Sequence, residues 1–394
     1  MNILPINIAV IDDGINEELY QTGRLAHNLE ITHDLIICDR EGYDPFLPSH
    51  GTTCAAIIKK YSPEAVISSV KILNSESRTG MKAQLICALQ WCVDNSIRIV
   101  NLSLGTIDYR DFLQVKEAVE YACEKNLIIV AACNNLNIFT CPASLEKVIG
   151  VKCDVTGILN EGEYIYNSDC MDGIDITACA KHKLKKYDVT EKVTSECNSY
   201  AAPMVTAHVY NLINNNPNMT TSKIKAELKK EAHNMEQNLN VQQFKEFKEP
   251  DIPVIVIYNN STNDFAKGLN GRFRSDGYNA LCVYEDIKDD ICNGYINIKQ
   301  FANHQLLSLK KSVYKICNIF SPDILLLTYD NHKTNNIQTS EIVDLDADVQ
   351  IYVNVTSGIK VESSYETHIF NHEDNNQLEQ VYSYILELFE KAEA

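Results

Sequence analysis

The sequence of 394 residues contains no uninterrupted apolar run of about eighteen residues, the length a bilayer-crossing helix needs, so no membrane span is expected. Positive charge is scarce. Lys and Arg number 35 against 53 Asp and Glu, for a net charge of -18 at pH 7. With the acidity spread over both halves, nucleic acid and anionic membrane are excluded as main partners. The fourteen cysteines form no CxxC pair and no zinc-ligand spacing. They read as reduced thiols, mostly small buried apolar side chains of a cytosolic protein. The opening residues MNILPINIAVIDDG have no basic region, long apolar run or cleavage site, so no secretory signal is expected and the location is read as cytoplasmic. No acidic calcium loop, GxxxxGK[ST] or GxGxxG pattern, internal repeat or low-complexity segment occurs. Accordingly no metal and no cofactor is expected.

What is present is ordinary globular material, 45% hydrophobic and 22% charged, in a chain long enough for two domains. Apolar runs at 6–12, 65–73, 97–104 and 127–134 read as strands, and 81–95, 111–126, 200–216 and 220–234 as helices, the last capped by a threonine. Such alternation implies an α/β fold with a mostly parallel sheet flanked by helices. The polar stretch 236–251 reads as a linker between a first domain at 1–235 and a second, smaller α/β domain at 252–394. There, strands at 253–260, 279–286, 323–330 and 348–355 and a closing helix at 376–392 suggest a Rossmann-like or flavodoxin-like module of unknown role. His304, His332, His368 and His372 show no ligand spacing and are expected to be exposed.

Four residues in the first domain could serve acyl transfer, which needs a nucleophile, a base, a group to orient the base and donors for the oxyanion. Asp12 ends the first strand, in AVIDDG. His50 opens an apolar helical run, HGTTCAAIIKK. Asn134 ends the strand LIIVAACN. Ser199 lies at a helix start in CNSYAAPMV, where free first-turn amides suit an anion. Pro203 is read as tolerated there because first-turn amides have no helical partner. Singly each signal is weak: an Asp at a strand end commonly only caps a turn, and a lone His is more often structural.

Taken together, the segments resemble the subtilisin family. Its V-I-D-S-G, H-G-T-H-V-A-G, A-A-G-N and G-T-S-M-A-A-P motifs read here as V-I-D-D-G, H-G-T-T-C-A-A, A-A-C-N and C-N-S-Y-A-A-P, in the family's order. IVNLSLG at 99–105 and CPAS at 141–144 match two further segments, so the resemblance covers about residues 6–215. It implies Ser199 as nucleophile, His50 as general base and then acid, Asp12 as the carboxylate that orients the imidazole, and Asn134 as oxyanion donor. Asp13 falls at a variable family position and is expected to be a solvated turn residue. By the same resemblance Ser103, Leu104 and Gly105 form one wall of the specificity pocket, Ala131, Ala132 and Cys133 the other, and Thr140 lies near its base. No acid stands in these stretches, which favours a small or apolar residue before the scissile bond.

Departures lie close to the nucleophile. Cys197 stands where glycine is usual, Asn198 where threonine is usual and Cys133 where glycine precedes the asparagine. A side chain at these places narrows the pocket, or strains the loop if positive φ is required. Only eleven residues precede Asp12, so neither signal nor inhibitory propeptide is expected, and restraint must come from narrow specificity, a partner or the second domain. The expected partner is a peptide or protein substrate; oligomeric state is not readable. The leading function is an intracellular serine endopeptidase of narrow specificity, such as one removing leaders from ribosomally made precursor peptides. General intracellular turnover and non-catalytic peptide binding are the alternatives.

Overall fold

The computed structural model describes residues 6–74, 80–168, 170–233, 249–259, 264–285, 288–302, 309–330, 347–354, 358–371 and 376–393. The chain divides into two compact units, Met1–Phe244 and Lys245–Ala394. Most of the stretch 236–251, and His304, His332 and His372, lie outside the described residues. His368 is exposed, as expected, against Phe370 and Tyr384. Among the described residues no helix is long and apolar enough to cross a membrane.

The first unit is built on a nine-stranded sheet. Its elements run β1 (Asn7–Asp12), β2 (Asn28–Ile31), β3 (Ile37–Asp39), α1 (His50–Tyr61), β4 (Val66–Lys71), α2 (Lys82–Asp94), β5 (Ile99–Leu102), α3 (Tyr109–Glu124), β6 (Ile128–Ala132), β7 (Ile149–Cys153), β8 (Tyr164–Tyr166), β9 (Ile176–Ala178), β10 (Lys183–Lys185), β11 (Glu191–Val193), α4 (Asn198–Asn215) and α5 (Thr221–Glu231). The sheet order is β3-β2-β4-β1-β5-β6-β7-β9-β8, parallel except at its two edge pairs, and β10-β11 form a small hairpin. Both faces of the parallel strands are apolar because helices cover both. On one face Ile8, Val10, Ile67, Ile99, Val130 and Val151 pack with Ala55 and Ile58 of α1, Val205 and Val209 of α4 and Ile224 of α5. Thr220 caps α5 by accepting from Lys223 N.

Strand alternation now decides where chemistry collects. Ile8 and Val10 face α1 and α4, so Asp12, two residues on and last in its strand, belongs to that same face. Both helices begin beside it. The connection from strand end to helix is tight: a Cβ on Gly51 would lie 2.8 Å from the Gly14 carbonyl and 3.1 Å from the Asp12 Cβ, so only glycine lets α1 approach this closely.

In the second unit, β12 (Val254–Asn259), α6 (Asp264–Ser275), β13 (Ala280–Tyr284), β14 (Tyr295–Asn297), α7 (Lys299–Ala302), α8 (Leu309–Phe320), β15 (Ile324–Asp330), β16 (Val349–Asn354), β17 (Gly358–Ser363), β18 (Thr367–Phe370) and α9 (Gln377–Glu393) form a seven-stranded sheet with helices. Its order is β14-β13-β15-β12-β16-β17-β18. The first five are parallel neighbours; β17 and β18 add an antiparallel edge that the sequence patterning did not reveal.

Candidate active site

His50 is the first residue of α1, whose N-cap Ser49 accepts from Thr52 N and donates to the Gly14 carbonyl at 2.7 Å. Its Nδ1 lies 2.9 and 3.0 Å from the two carboxylate oxygens of Asp12. Nε2 lies 2.9 Å from Ser199 Oγ. A carboxylate has no proton to give, so Nδ1 carries the hydrogen and Nε2 presents its lone pair to the Ser199 hydroxyl. Residues 38 and 149 positions apart from His50 thus converge on one ring. Asp12 is 1% exposed and His50 9%. Burial opposes charge on this imidazole, but the Asp12 carboxylate against Nδ1 favours the charged form and holds its proton affinity above the usual histidine value. The Tyr200 ring stacks on the imidazole, centroids 5.1 Å apart and 24° from parallel.

Asp13 is not the solvated turn residue expected. It is 2% exposed, and its carboxylate accepts from His50 N at 3.0 Å and Gly51 N at 2.8 Å. The two first-turn amides of α1 have no helical acceptor, and the adjacent carboxylate takes them. Burial first, and the Asp12 charge next, hold the Asp13 carboxyl above its ordinary range, partly offset by those amides.

Ser199 is the second residue of α4. Pro203 lies beyond the first turn, contrary to expectation, and its missing N–H leaves the Ser199 carbonyl without the i+4 helical partner. Ser103 Oγ fills that place, donating to the carbonyl at 2.9 Å, while Asn101 Nδ2 donates to Ser103 Oγ at 3.1 Å. A residue expected in the pocket wall therefore holds the Ser199 backbone. Cys197 has φ -151° and ψ 153°, extended backbone open to any residue, so its replacement of glycine brings no strain. Its Sγ lies 3.1 Å from Ser199 Oγ.

Asn134 directs its Oδ1 into its own loop, accepting from Leu136 N and Ile138 N at 3.0 and 3.2 Å. That leaves its Nδ2 buried with no hydrogen-bond partner. Thr140, buried, accepts from Asn134 N at 3.0 Å. Of the other expected wall residues, Ala131 and Ala132 are buried in β6, Cys133 is buried with Sγ 3.4 Å from the Ile138 carbonyl, Leu104 is half-buried and Gly105 is exposed. Beside these segments Thr106 bridges Cys141, and a Cβ on Gly105 would lie 2.7 Å from Thr140 Cγ2.

Two neighbours of these residues, Cys54 and His182, escaped the sequence reading. Cys54, one helical turn after His50, is fully buried with Sγ 3.8 Å from His50 Nδ1, 3.9 Å from Asp12 and 3.4 Å from Ser103 Oγ. Burial raises its thiol pKa, and the i,i+4 spacing was its only signal. Asp12, His50 and Cys54 are the one group among the described residues with metal-ligand spacing, though the same atoms also hydrogen-bond one another. His182 donates from Nε2 to the Tyr200 carbonyl at 3.0 Å and receives Tyr61 OH at Nδ1. Burial pushes it down to about 4, so it stays neutral near pH 7. Asn198, read in the sequence as a departure from threonine, has a side chain whose contacts reach the Asn134 loop.

Residues 5–251 match the model of the subtilase family. Subtilisin DY of Bacillus licheniformis is 23% identical over 246 residues, 58% of this chain and 84% of its own length. The minor extracellular protease Epr of Bacillus subtilis (strain 168) is 29% identical over 221 residues, 50% of this chain and 31% of its own. Among solved structures, the S41 psychrophilic protease aligns with a TM-score of 0.48 at 19% identity, covering 58% of this chain and 85% of that one.

Proposed function

The chain belongs to the subtilase family of serine endopeptidases, and from that premise we propose that Ser199, His50, Asp12 and Asn134 carry out its peptide-bond hydrolysis. The single observation that carries this is the alignment of Asp12, His50 Nδ1, His50 Nε2 and Ser199 Oγ through contacts of 2.9 Å. His50 takes the Ser199 proton as Oγ attacks the scissile carbonyl. Asp12 stabilises the imidazolium so formed, and His50 then returns the proton to the leaving amine. The oxyanion is received by Asn134 Nδ2 and the Ser199 backbone amide, the latter among the unpaired first-turn donors of α4. A water activated by the same imidazole releases the acyl group.

The finer reading is a cytoplasmic enzyme of narrow specificity that trims leader segments from ribosomally made precursor peptides. None of the fourteen cysteines is joined in a disulfide, which supports a reducing compartment. The small residues Ala131 and Ala132, the close approach of Gly105 to Thr140 and the lack of an acid in these walls support a small or apolar residue before the scissile bond.

Labelling the full chain with a fluorophosphonate tests the chemistry. Label on the wild type and none on Ser199→Ala is expected; equal labelling of both would sink the assignment. Digestion of casein beside a peptide library tests the specificity: cleavage at many unrelated sites in casein would overturn the narrow reading.

A further inference from the structure

We propose that Asn198 is a positioning residue for the oxyanion, its side-chain amide holding the Asn134 loop at a set distance from Ser199; this rests on the roles given above to Ser199 and Asn134. Asn198 is the first residue of α4, adjacent in the chain to Ser199, and is 1% exposed. Its Nδ2 donates twice, to the Asn134 carbonyl at 2.6 Å and to Asn137 Oδ1 at 3.0 Å. Its Oδ1 accepts from Cys153 N of β7 at 2.7 Å. Its backbone N–H donates to Asn135 Oδ1 at 3.3 Å. Three of these four bonds end on residues 134–137.

The loop is in turn built around one rotamer. Asn137 N returns to the Asn134 carbonyl at 3.0 Å with Asn137 in the left-handed region, φ 55°. Asn134 Oδ1 is occupied by Leu136 N and Ile138 N, so its Nδ2 direction follows from the loop's own geometry. That Nδ2 is the buried donor without a partner. Wherever the loop goes, the donor goes with it. Asn198 ties the loop to the helix that carries Ser199; without its amide the Asn134 carbonyl keeps only the bond from Asn137 N, and Asn137 Oδ1 and Cys153 N each lose the bond made to Asn198. Threonine, which stands here in the resembling motif, has one hydroxyl and cannot give two hydrogens to the loop while accepting from Cys153 N.

The test measures kcat and KM on a cleaved peptide for full-length Asn198→Ala, Asn198→Asp, Asn198→Thr, Asn134→Ala and the Asn198→Ala, Asn134→Ala double variant. Asn198→Ala is expected to lower kcat by about tenfold to a hundredfold with KM little changed, the effect of a misplaced group at the reacting centre. Asn198→Asp keeps the shape and the Cys153 bond but sets a carboxylate against two acceptors, and should lose at least as much. In the Asn134→Ala background the Asn198→Ala change should cost little more, because the donor it positions is gone. Losses that multiply in the double variant would overturn the proposal, as would an unchanged kcat in Asn198→Ala and Asn198→Asp. If Asn198→Ala does not fold, Asn198→Asp and Asn198→Thr replace it in the same cycle. An Asn134→Ala variant with full kcat would instead sink the underlying role of Asn134, a separate result.

Discussion

Two adjacent carboxylates stand at the end of β1, and their contacts assign them opposite duties that a pair of substitutions can separate. Asp12 touches the imidazole, both oxygens within 3.0 Å of Nδ1. Asp13 touches only backbone, accepting the His50 and Gly51 amides. Asp12→Asn preserves size and still accepts from Asp13 N, but its new amide donates to Nδ1. The ring proton then moves to Nε2 and faces Ser199, where a lone pair is needed. A tautomer inverted in this way costs about 10⁴ in kcat, roughly 5.5 kcal/mol of barrier. Asp13→Asn leaves the tautomer alone. It retains one acceptor for two amides, so one bond to a charged group worth about 1.5–3 kcal/mol is lost while repulsion from Asp12 is relieved. The net is a destabilisation of about 2 kcal/mol, or about 4–8 °C in Tm for a unit of this size, with kcat reduced by about tenfold at most. Steady-state kinetics and thermal melts of the two variants decide the matter. If Asp13→Asn loses as much kcat as Asp12→Asn while melting like the wild type, the assignment of the two carboxylates is wrong.

Other outcomes follow from the same contacts. Asn134→Ala should lower kcat by about a hundred- to thousandfold with KM little changed, the loss that accompanies removal of one oxyanion donor; a KM effect alone would argue that Asn134 only binds substrate. His50 must be neutral to accept the Ser199 proton, and its raised pKa means that neutral form appears only at higher pH. The acidic limb of kcat/KM should therefore have its midpoint above 6.5, the ordinary histidine value, and a midpoint below it would contradict the reading. His182, held near 4, adds no limb in that range. Cys197 is half-buried with Sγ 3.1 Å from Ser199 Oγ, whereas Cys54 is fully buried. Methylthiolation with a methanethiosulfonate should block fluorophosphonate labelling, a reductant should restore it, and Cys197→Ser should be insensitive; equal inhibition of that variant would move the effect to another thiol.

Most of the first unit's framework was legible along the chain. The buried parallel strands β1, β4, β5 and β6 are apolar runs that could be read directly, though β7 and β9 were not, and helices such as α2 show their inner face through Leu85, Ala88, Leu89 and Cys92. Edge elements were not legible. Strands such as β3 and β11 are three residues long and exposed, so they carry no apolar period to read. The antiparallel β18 escaped for a related reason, being exposed except at Phe370, while β17 buries only Ile359 and Val361 as large apolar side chains and its pairing is set by its neighbours.

At the site, residue types and motif order pointed to Asp12, His50, Asn134 and Ser199 as candidates, because each chemical role admits few side chains, and the structure sets His50 between Asp12 and Ser199. What surrounds them depended on distance in space. Asp13 is buried because α1 begins against it, a fact of packing between segments 37 residues apart. Ser103 serves the Ser199 carbonyl because Pro203 vacates it, and Asn198 reaches the Asn134 loop across 64 positions of chain. Sequence by itself determined which groups are available and which elements carry them, since those follow from local pattern and side-chain chemistry. Only the tertiary structure decided which backbone amides and carbonyls were left unpaired where those elements meet, and so which neighbouring side chains were drawn in to pair with them.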